Sequence, residues 1–183
     1  MKKSILVHSL AVALLFVGSQ SFAKGATTET ENASKALGAS QVSEITFEEG
    51  KSTLTQESRN EIREMVKDAE KSGKISEIKA AVWADREYPV SDTKAPKADI
   101  KLAEDRAKEL KKFIKNELKV SDVKTYNMTE RPNAMQKLLS TPTAQMKETL
   151  EGSGAAPGTE KEKGLFNQKA QASKAVLMIY MKK

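Results

Sequence analysis

The chain has 183 residues, a formal net charge of +6, no cysteine and a single histidine, His8. Without cysteine it can form no disulfide and offers no thiol for a lipid anchor. Apart from His8 it also lacks the residues that Ser-His-Asp systems, Cys-His systems and the usual zinc sites require. A metal site would have to be built from oxygen ligands alone, and we expect no metal site and no cofactor.

Residues 1–23 have the pattern of a cleavable export signal. A pair of lysines is followed by an apolar run, and the small residues Ser21 and Ala23 stand at positions −3 and −1 of the expected cleavage site. The apolar run breaks at Gly18, before it reaches the roughly 20 residues of a transmembrane helix. We expect an exported chain that begins at Lys24 and has no transmembrane segment; retention as an uncleaved anchor is the alternative.

The charge is spread along the chain. Removal of Lys2 and Lys3 lowers the net charge from +6 to +4. The remaining charges are mostly interspersed in sign, as in EIREMVKDAEK and EDRAKELKKFIK, which indicates solvated helix faces. An exported chain without a basic run that includes aromatic residues is not expected to bind nucleic acid.

Residues 24–41 are small and polar, which predicts a flexible leader before a domain at residues 42–183. The segment VSEITF alternates as a short strand does. A helix then follows from the N-cap Thr55 to Gly73, with Ile62 and Val66 on its apolar stripe. The segment ISEIKAAVWAD predicts a second, buried strand.

Residues 86–98 form an enlarged loop, after which Asp99 is expected to cap the second main helix, with Ala103, Ala107 and Leu110 on its apolar face. A third strand is predicted at residues 123–128 and a last one at 175–181. Residues 134–172 between them indicate an irregular insertion with short helices. The order predicts an α+β fold: a two-layer sandwich in which two main helices cover one face of a mixed four-stranded sheet.

Three blocks of this sequence resemble the OmpA-like family, the peptidoglycan-binding domains of Gram-negative envelopes. ITFEEGKSTLTQESRNEI resembles the opening strand and helix, and VWAD resembles the second strand with its terminal aspartate. The most specific block is IKLAEDRAKELKKFIKNELKVSDVKTYNMTERPN, which resembles the Leu-Ser-x-x-Arg-Ala helix, the third strand and the turn that follows. Together the blocks cover roughly residues 42–133, and the resemblance also includes the last strand.

The resemblance implies a noncatalytic periplasmic protein, associated with the cell wall or the outer membrane, that binds peptidoglycan noncovalently. The ligand group would be the diaminopimelate residue of the peptide stem. A matching site needs one fixed anion and one fixed cation. The resemblance assigns these roles to Asp85, for the ammonium, and to Arg106, for the carboxylate. Asp99 and Leu102, near the amino end of the same helix, complete the implied ligand-binding set.

Several positions depart from the family pattern, among them Val82, Ala84 and Asp99. A second interpretation is therefore an interaction or scaffold module that keeps the fold, has lost peptidoglycan binding and contacts other envelope proteins. Arg106 could be an ordinary surface cation paired with Asp105 or Glu109. A carboxylate-dependent hydrolase, which needs two close carboxylates, is a third interpretation.

The other singled-out residues also have simpler explanations. Asp85 could end a strand or cap a turn, and Asp99 could serve only as a helix cap. Trp83, the only tryptophan, could stack on a sugar or be a half-buried strand residue.

Overall fold

The computed structural model describes residues 25–87, 94–157 and 174–182. The predicted export signal, part of the 86–98 loop and part of the 134–172 segment lie outside these residues. The elements in chain order are α1 (Thr28–Ala36), β1 (Gln41–Thr46), α2 (Gln56–Ser72), β2 (Ile75–Val82), α3 (Lys97–Asn116), β3 (Val123–Asn127), α4 (Ala134–Leu138), α5 (Pro142–Gly152) and β4 (Lys174–Met181).

The four strands form one mixed sheet in the order β1-β4-β2-β3. The last strand, β4, lies between β1 and β2 and is antiparallel to both, whereas β2 and β3 are parallel. Parallel neighbours need a crossover connection, which α3 supplies. The α+β class and the mixed four-stranded sheet are confirmed.

The two main helices, α2 and α3, cover one face of this sheet, as predicted. The Thr55 side chain accepts a hydrogen bond from the Ser58 N–H, and α2 ends before Gly73, whose φ of 153° favours glycine. The core on this face joins both helices to alternate strand residues, including Ile45, Ile78 and Leu177. The helical and strand periodicities of the sequence therefore predict this half of the domain well.

Two shorter helices cover the opposite face. Ala33 of α1 and Leu150 of α5 belong to a second apolar cluster with Trp83 and Met178, whose side chains leave the sheet on that side. The prediction of a flexible leader is therefore wrong for the part of it that α1 occupies. The helix has almost no large apolar residues and is held by buried small ones, Thr30, Ala33 and Ser34.

The segment that follows β3 is more regular than its sequence suggests. Asn133 and Gln136 form a reciprocal capping box at the start of α4, no residue of which is buried. Helix α5, in contrast, buries Ala144, Met146 and Leu150 together with a lysine, Lys147. Short helices were predicted within residues 134–172, and α4 and α5 lie there. Through α5, this segment adds a layer on the sheet face opposite α2 and α3.

Charges are balanced where two lysines meet on neighbouring strands. Lys79 of β2 pairs in register with Lys124 of β3, an arrangement that is unfavourable for like charges. The Glu77 carboxylate lies within 3.1 Å of the Lys79 Nζ and within 2.7 Å of the Lys124 Nζ. Burial raises the pKa of Glu77, but hydrogen bonds from Lys124 and Lys79 outweigh it and hold that pKa below its ordinary value.

None of the helices described in residues 25–87, 94–157 and 174–182 combines the length and apolar character that crossing a membrane demands.

Candidate functional site

The two ions that the resemblance singles out meet at the carboxyl end of β2. Asp85 follows this strand by three residues, and Arg106 lies near the middle of α3, on the side that faces the sheet. The Arg106 Nη2 lies 2.5 Å from the Asp85 Oδ1. Helix α3 is the crossover connection between β2 and β3. It therefore passes back over β2 and places the Arg106 side chain beside Asp85, just beyond the end of that strand.

Arg106 is completely buried, and all three nitrogens of its guanidinium donate hydrogen bonds. Its Nε donates to the Lys51 carbonyl oxygen (2.8 Å), its Nη1 to the Trp83 carbonyl oxygen (3.0 Å), and its Nη2 to the Glu48 carbonyl oxygen (3.1 Å) as well as to Asp85. The Phe47 ring lies 4.9 Å from its Cζ. Burying a guanidinium costs several kcal/mol, and this set of oxygens is what offsets it.

Asp85 is the more accessible member, with 19% of its side chain exposed. Its second carboxylate oxygen, Oδ2, accepts a hydrogen bond from the Gly50 N–H at 2.6 Å. The pair is therefore tied on one side to the end of β2 and on the other to residues 48–51, which connect β1 to α2 and which we call the flap. The flap contributes only main-chain groups to these contacts.

This arrangement presents one negative and one positive group that can bind opposite charges. A fixed carboxylate and a fixed planar guanidinium match an ammonium and a carboxylate on one ligand, and lysine could not reproduce the fork. Within the described ranges, no group of three or more acidic or histidine side chains is placed to hold a metal ion.

The other two predicted site residues lie farther along α3. Asp99 belongs to the first turn, seven residues before Arg106, a separation of about 10 Å along the helix axis. It is not the cap, because the helix begins at Lys97 and Pro96 occupies the N-cap position without a side-chain hydrogen bond. Leu102, one turn before Arg106, is half-buried. Asp85 and Arg106 are therefore the two members of the set that the structure brings into direct contact.

The simpler explanations can also be compared with the structure. Arg106 is not a surface cation, because it is completely buried. The Asp105 carboxylate instead pairs with Lys101 at 2.8 Å, and the Glu109 carboxylate pairs with Arg59 at 2.6 Å. Trp83 is fully buried rather than half-buried, and its Nε1 donates a hydrogen bond to the Glu87 carboxylate. Its ring is covered by the protein and offers no surface for stacking on a sugar.

Sequence reasoning missed the flap and a buried charge cluster that lies beside Trp83 and α5. The flap acts through carbonyl and N–H groups, which every residue has, so no residue type reveals it. The cluster joins Glu87 to Lys147, whose Nζ lies 3.5 Å from the Glu87 Oε1 and also contacts the Met128 carbonyl oxygen. The sequence does contain a signal for the burial of Lys147, because this residue falls on the same helical stripe as Ala144 and Leu150.

A comparison of the sequence with models of protein families and with curated protein sequences finds no match.

Proposed function

We propose that this chain is a noncatalytic, OmpA-like domain of the Gram-negative periplasm that binds peptidoglycan noncovalently. It recognises the diaminopimelate residue of the peptide stem, whose ammonium group meets Asp85 and whose carboxylate meets Arg106. A charge pair of this kind binds and orients a zwitterion without breaking a bond in it.

The observation that carries the proposal is the contact between Asp85 and Arg106. Their side chains come from elements separated by an enlarged loop, yet they lie 2.5 Å apart at the carboxyl end of a sheet strand. The element order supports it as well, since strands and main helices follow the order that the resemblance implies. The partial exposure of Asp85 gives a ligand its first point of contact.

Cosedimentation with purified sacculi that contain diaminopimelate tests the proposal. Asp85→Asn keeps the size of the side chain and an acceptor for the Gly50 N–H but removes the charge, so it should weaken binding about tenfold or more. Asp105→Asn, on the exposed side of α3, is the matched control and should bind as the wild type does. Free meso-diaminopimelate should compete with the sacculi.

Two results would contradict the proposal. One is equal sedimentation of Asp85→Asn and the wild type; the other is sedimentation that excess meso-diaminopimelate does not reduce. Circular dichroism of each variant establishes that a loss of binding is not a loss of folding.

The second candidate function is an interaction module for another envelope protein, and the observation that favours it is an apolar stripe on α4. Met135, Leu138 and Leu139 are spaced i, i+3 and i+4, and their exposed fractions are 69%, 83% and 69%. This function predicts that the wild-type chain does not sediment with sacculi. It also predicts that Leu138→Ser removes a crosslink to an envelope protein that the exposed-site variant Lys111→Ser retains.

A further inference from the structure

The flap supplies Asp85 and Arg106 with the same kinds of hydrogen-bonding partner that a zwitterion would supply. Carbonyl oxygens of Glu48 and Lys51 accept hydrogen bonds from the Arg106 guanidinium, where a ligand carboxylate would accept them. The Gly50 N–H donates to Asp85, where a ligand ammonium would donate. Two acceptors and one donor on a single short stretch of backbone thus stand in for the two ends of the ligand.

The flap is also the part of this enclosure that can move. Its four residues, 48–51, are all exposed, and they are flanked by the buried side chains of Phe47 and Leu54. The remaining main-chain partner of Arg106, the Trp83 carbonyl oxygen, belongs to a fully buried residue at the end of β2. Exposed segments with few apolar contacts open at a lower free energy than the core does.

We infer that the flap is an internal competitor for the ligand site, so that a zwitterion binds Asp85 and Arg106 only when residues 48–51 have moved away. This inference rests on the proposed function, and it adds a regulating equilibrium to the same site. The apparent dissociation constant is then the intrinsic one divided by the fraction of molecules with an open flap. Any partner or substitution that releases the flap raises the affinity for peptidoglycan.

Gly50 allows the equilibrium to be changed without altering the charge pair. Its φ is 68°, a left-handed conformation, and a Cβ added there would meet no atom within 4 Å. Gly50→Ala therefore strains the closed flap through its backbone rather than through a clash, and it should shift the equilibrium toward the open form about tenfold. Gly38→Ala is the matched control, because Gly38 has a φ of 81° and a similarly open surrounding but lies before β1, at the opposite end of that strand from the flap.

The experiment combines hydrogen exchange with sacculus binding in the processed chain. Gly50→Ala should accelerate amide exchange at residue 50, whose N–H donates to Asp85 in the closed flap, about tenfold and tighten sacculus binding by up to the same factor. Gly38→Ala should change neither. If exchange accelerates while the affinity stays at the wild-type value or falls, the flap is not a competitor and the inference is overturned.

The two proposals fail in distinguishable ways. If neither the wild type nor Gly50→Ala binds sacculi although the flap exchanges faster, peptidoglycan binding is wrong, and the competition inference falls with it. If the wild type binds sacculi and Gly50→Ala exchanges faster without binding more tightly, peptidoglycan binding stands and only the competition is refuted.

Discussion

Lys147 is the residue whose burial is hardest to reconcile with its chemistry, and its contacts explain why it is tolerated. Its Nζ lies 3.5 Å from both the Glu87 Oε1 and the Glu151 Oε1. The other Glu87 oxygen accepts a hydrogen bond from the Trp83 Nε1, and the Arg131 Nη2 lies 3.3 Å from the Glu151 Oε1. Opposite charges are thus grouped where α5 meets the ends of β2 and β3, which fixes the position of that helix.

Replacing this lysine should therefore cost far more than replacing an exposed one. Lys147→Met keeps most of the volume but removes the ammonium group that lies 3.5 Å from the buried Glu87 carboxylate, and it should lower the free energy of unfolding by about 3 kcal/mol. Urea denaturation measures the loss. Lys111→Met, on the exposed side of α3, should change stability by less than about 0.5 kcal/mol. Equal effects of the two substitutions would mean that the cluster does not hold α5 in place.

Among the elements, α1 has the least obvious reason to be folded against the domain. Its N-cap Thr27 accepts a hydrogen bond from the Thr30 N–H, and the Thr30 hydroxyl contacts the Glu44 carboxylate of β1. Ala33 lies in the second apolar cluster, whereas Ala36, in the last turn, is exposed. A small contact surface with specific hydrogen bonds holds the helix on the sheet.

Two substitutions by the same residue separate a docked helix from a flexible leader. Ala33→Glu buries a carboxylate against the second cluster and should lower the free energy of unfolding by about 2 kcal/mol or more. Ala36→Glu places the same side chain in water and should cost less than about 0.5 kcal/mol. Thermal unfolding of both variants measures the difference. Identical melting curves would restore the interpretation of a flexible leader.

At the scale of the whole molecule, β4 is the strand on which the sheet depends. It pairs with both β1 and β2, so it joins the first strand to the pair formed by β2 and β3. Its alternate residues enter both cores, Leu177 on the side of the main helices and Met178 on the side of α1 and α5. These pairings close very long loops, as the 130-residue separation of Lys174 from Glu44 shows.

A chain that ends at residue 173 should therefore not form the sheet at all. We expect its far-ultraviolet circular dichroism to lack the strand contribution and its thermal unfolding to lose the cooperative transition. A chain that ends at Lys182 keeps the hydrogen bond from the Lys182 N–H to the Lys74 carbonyl oxygen, and it should unfold as the full chain does. A cooperative transition in the shorter chain would show that the two halves of the sheet can be joined without β4.

Sequence patterns could predict the elements with large apolar stripes, but not the one held by small side chains. Helix α2 is predicted consistently by three signals: the N-cap Thr55, the apolar stripe that includes Ile62, and the terminating Gly73. The α1 segment offers only Thr30, Ala33 and Ser34 to the core, and such residues are equally common in flexible chains. Its folding depends on a sheet face completed by β4 more than a hundred residues later, which local periodicity does not report.

For the candidate site, the sequence indicates the charged pair but not its enclosure. Asp85 and Arg106 were identified through the resemblance, and the structure brings them into contact, while their role in binding a ligand stays a prediction. The carbonyl groups of the flap are common to all residue types, and their position follows from the path of the backbone between β1 and α2. The depth at which Arg106 is buried is therefore a result of tertiary structure alone.

The paired lysines Lys79 and Lys124 affect how one copy of the protein can associate with another through the edge of the sheet. β3 is an edge of the sheet, and an edge strand is a template onto which a foreign strand can add. An incoming strand would have to cover Lys124, whose charge is held at that border by Glu77. Stripping water from this ammonium group opposes the addition, so crowded copies of the protein are discouraged from growing into fibrils through this side.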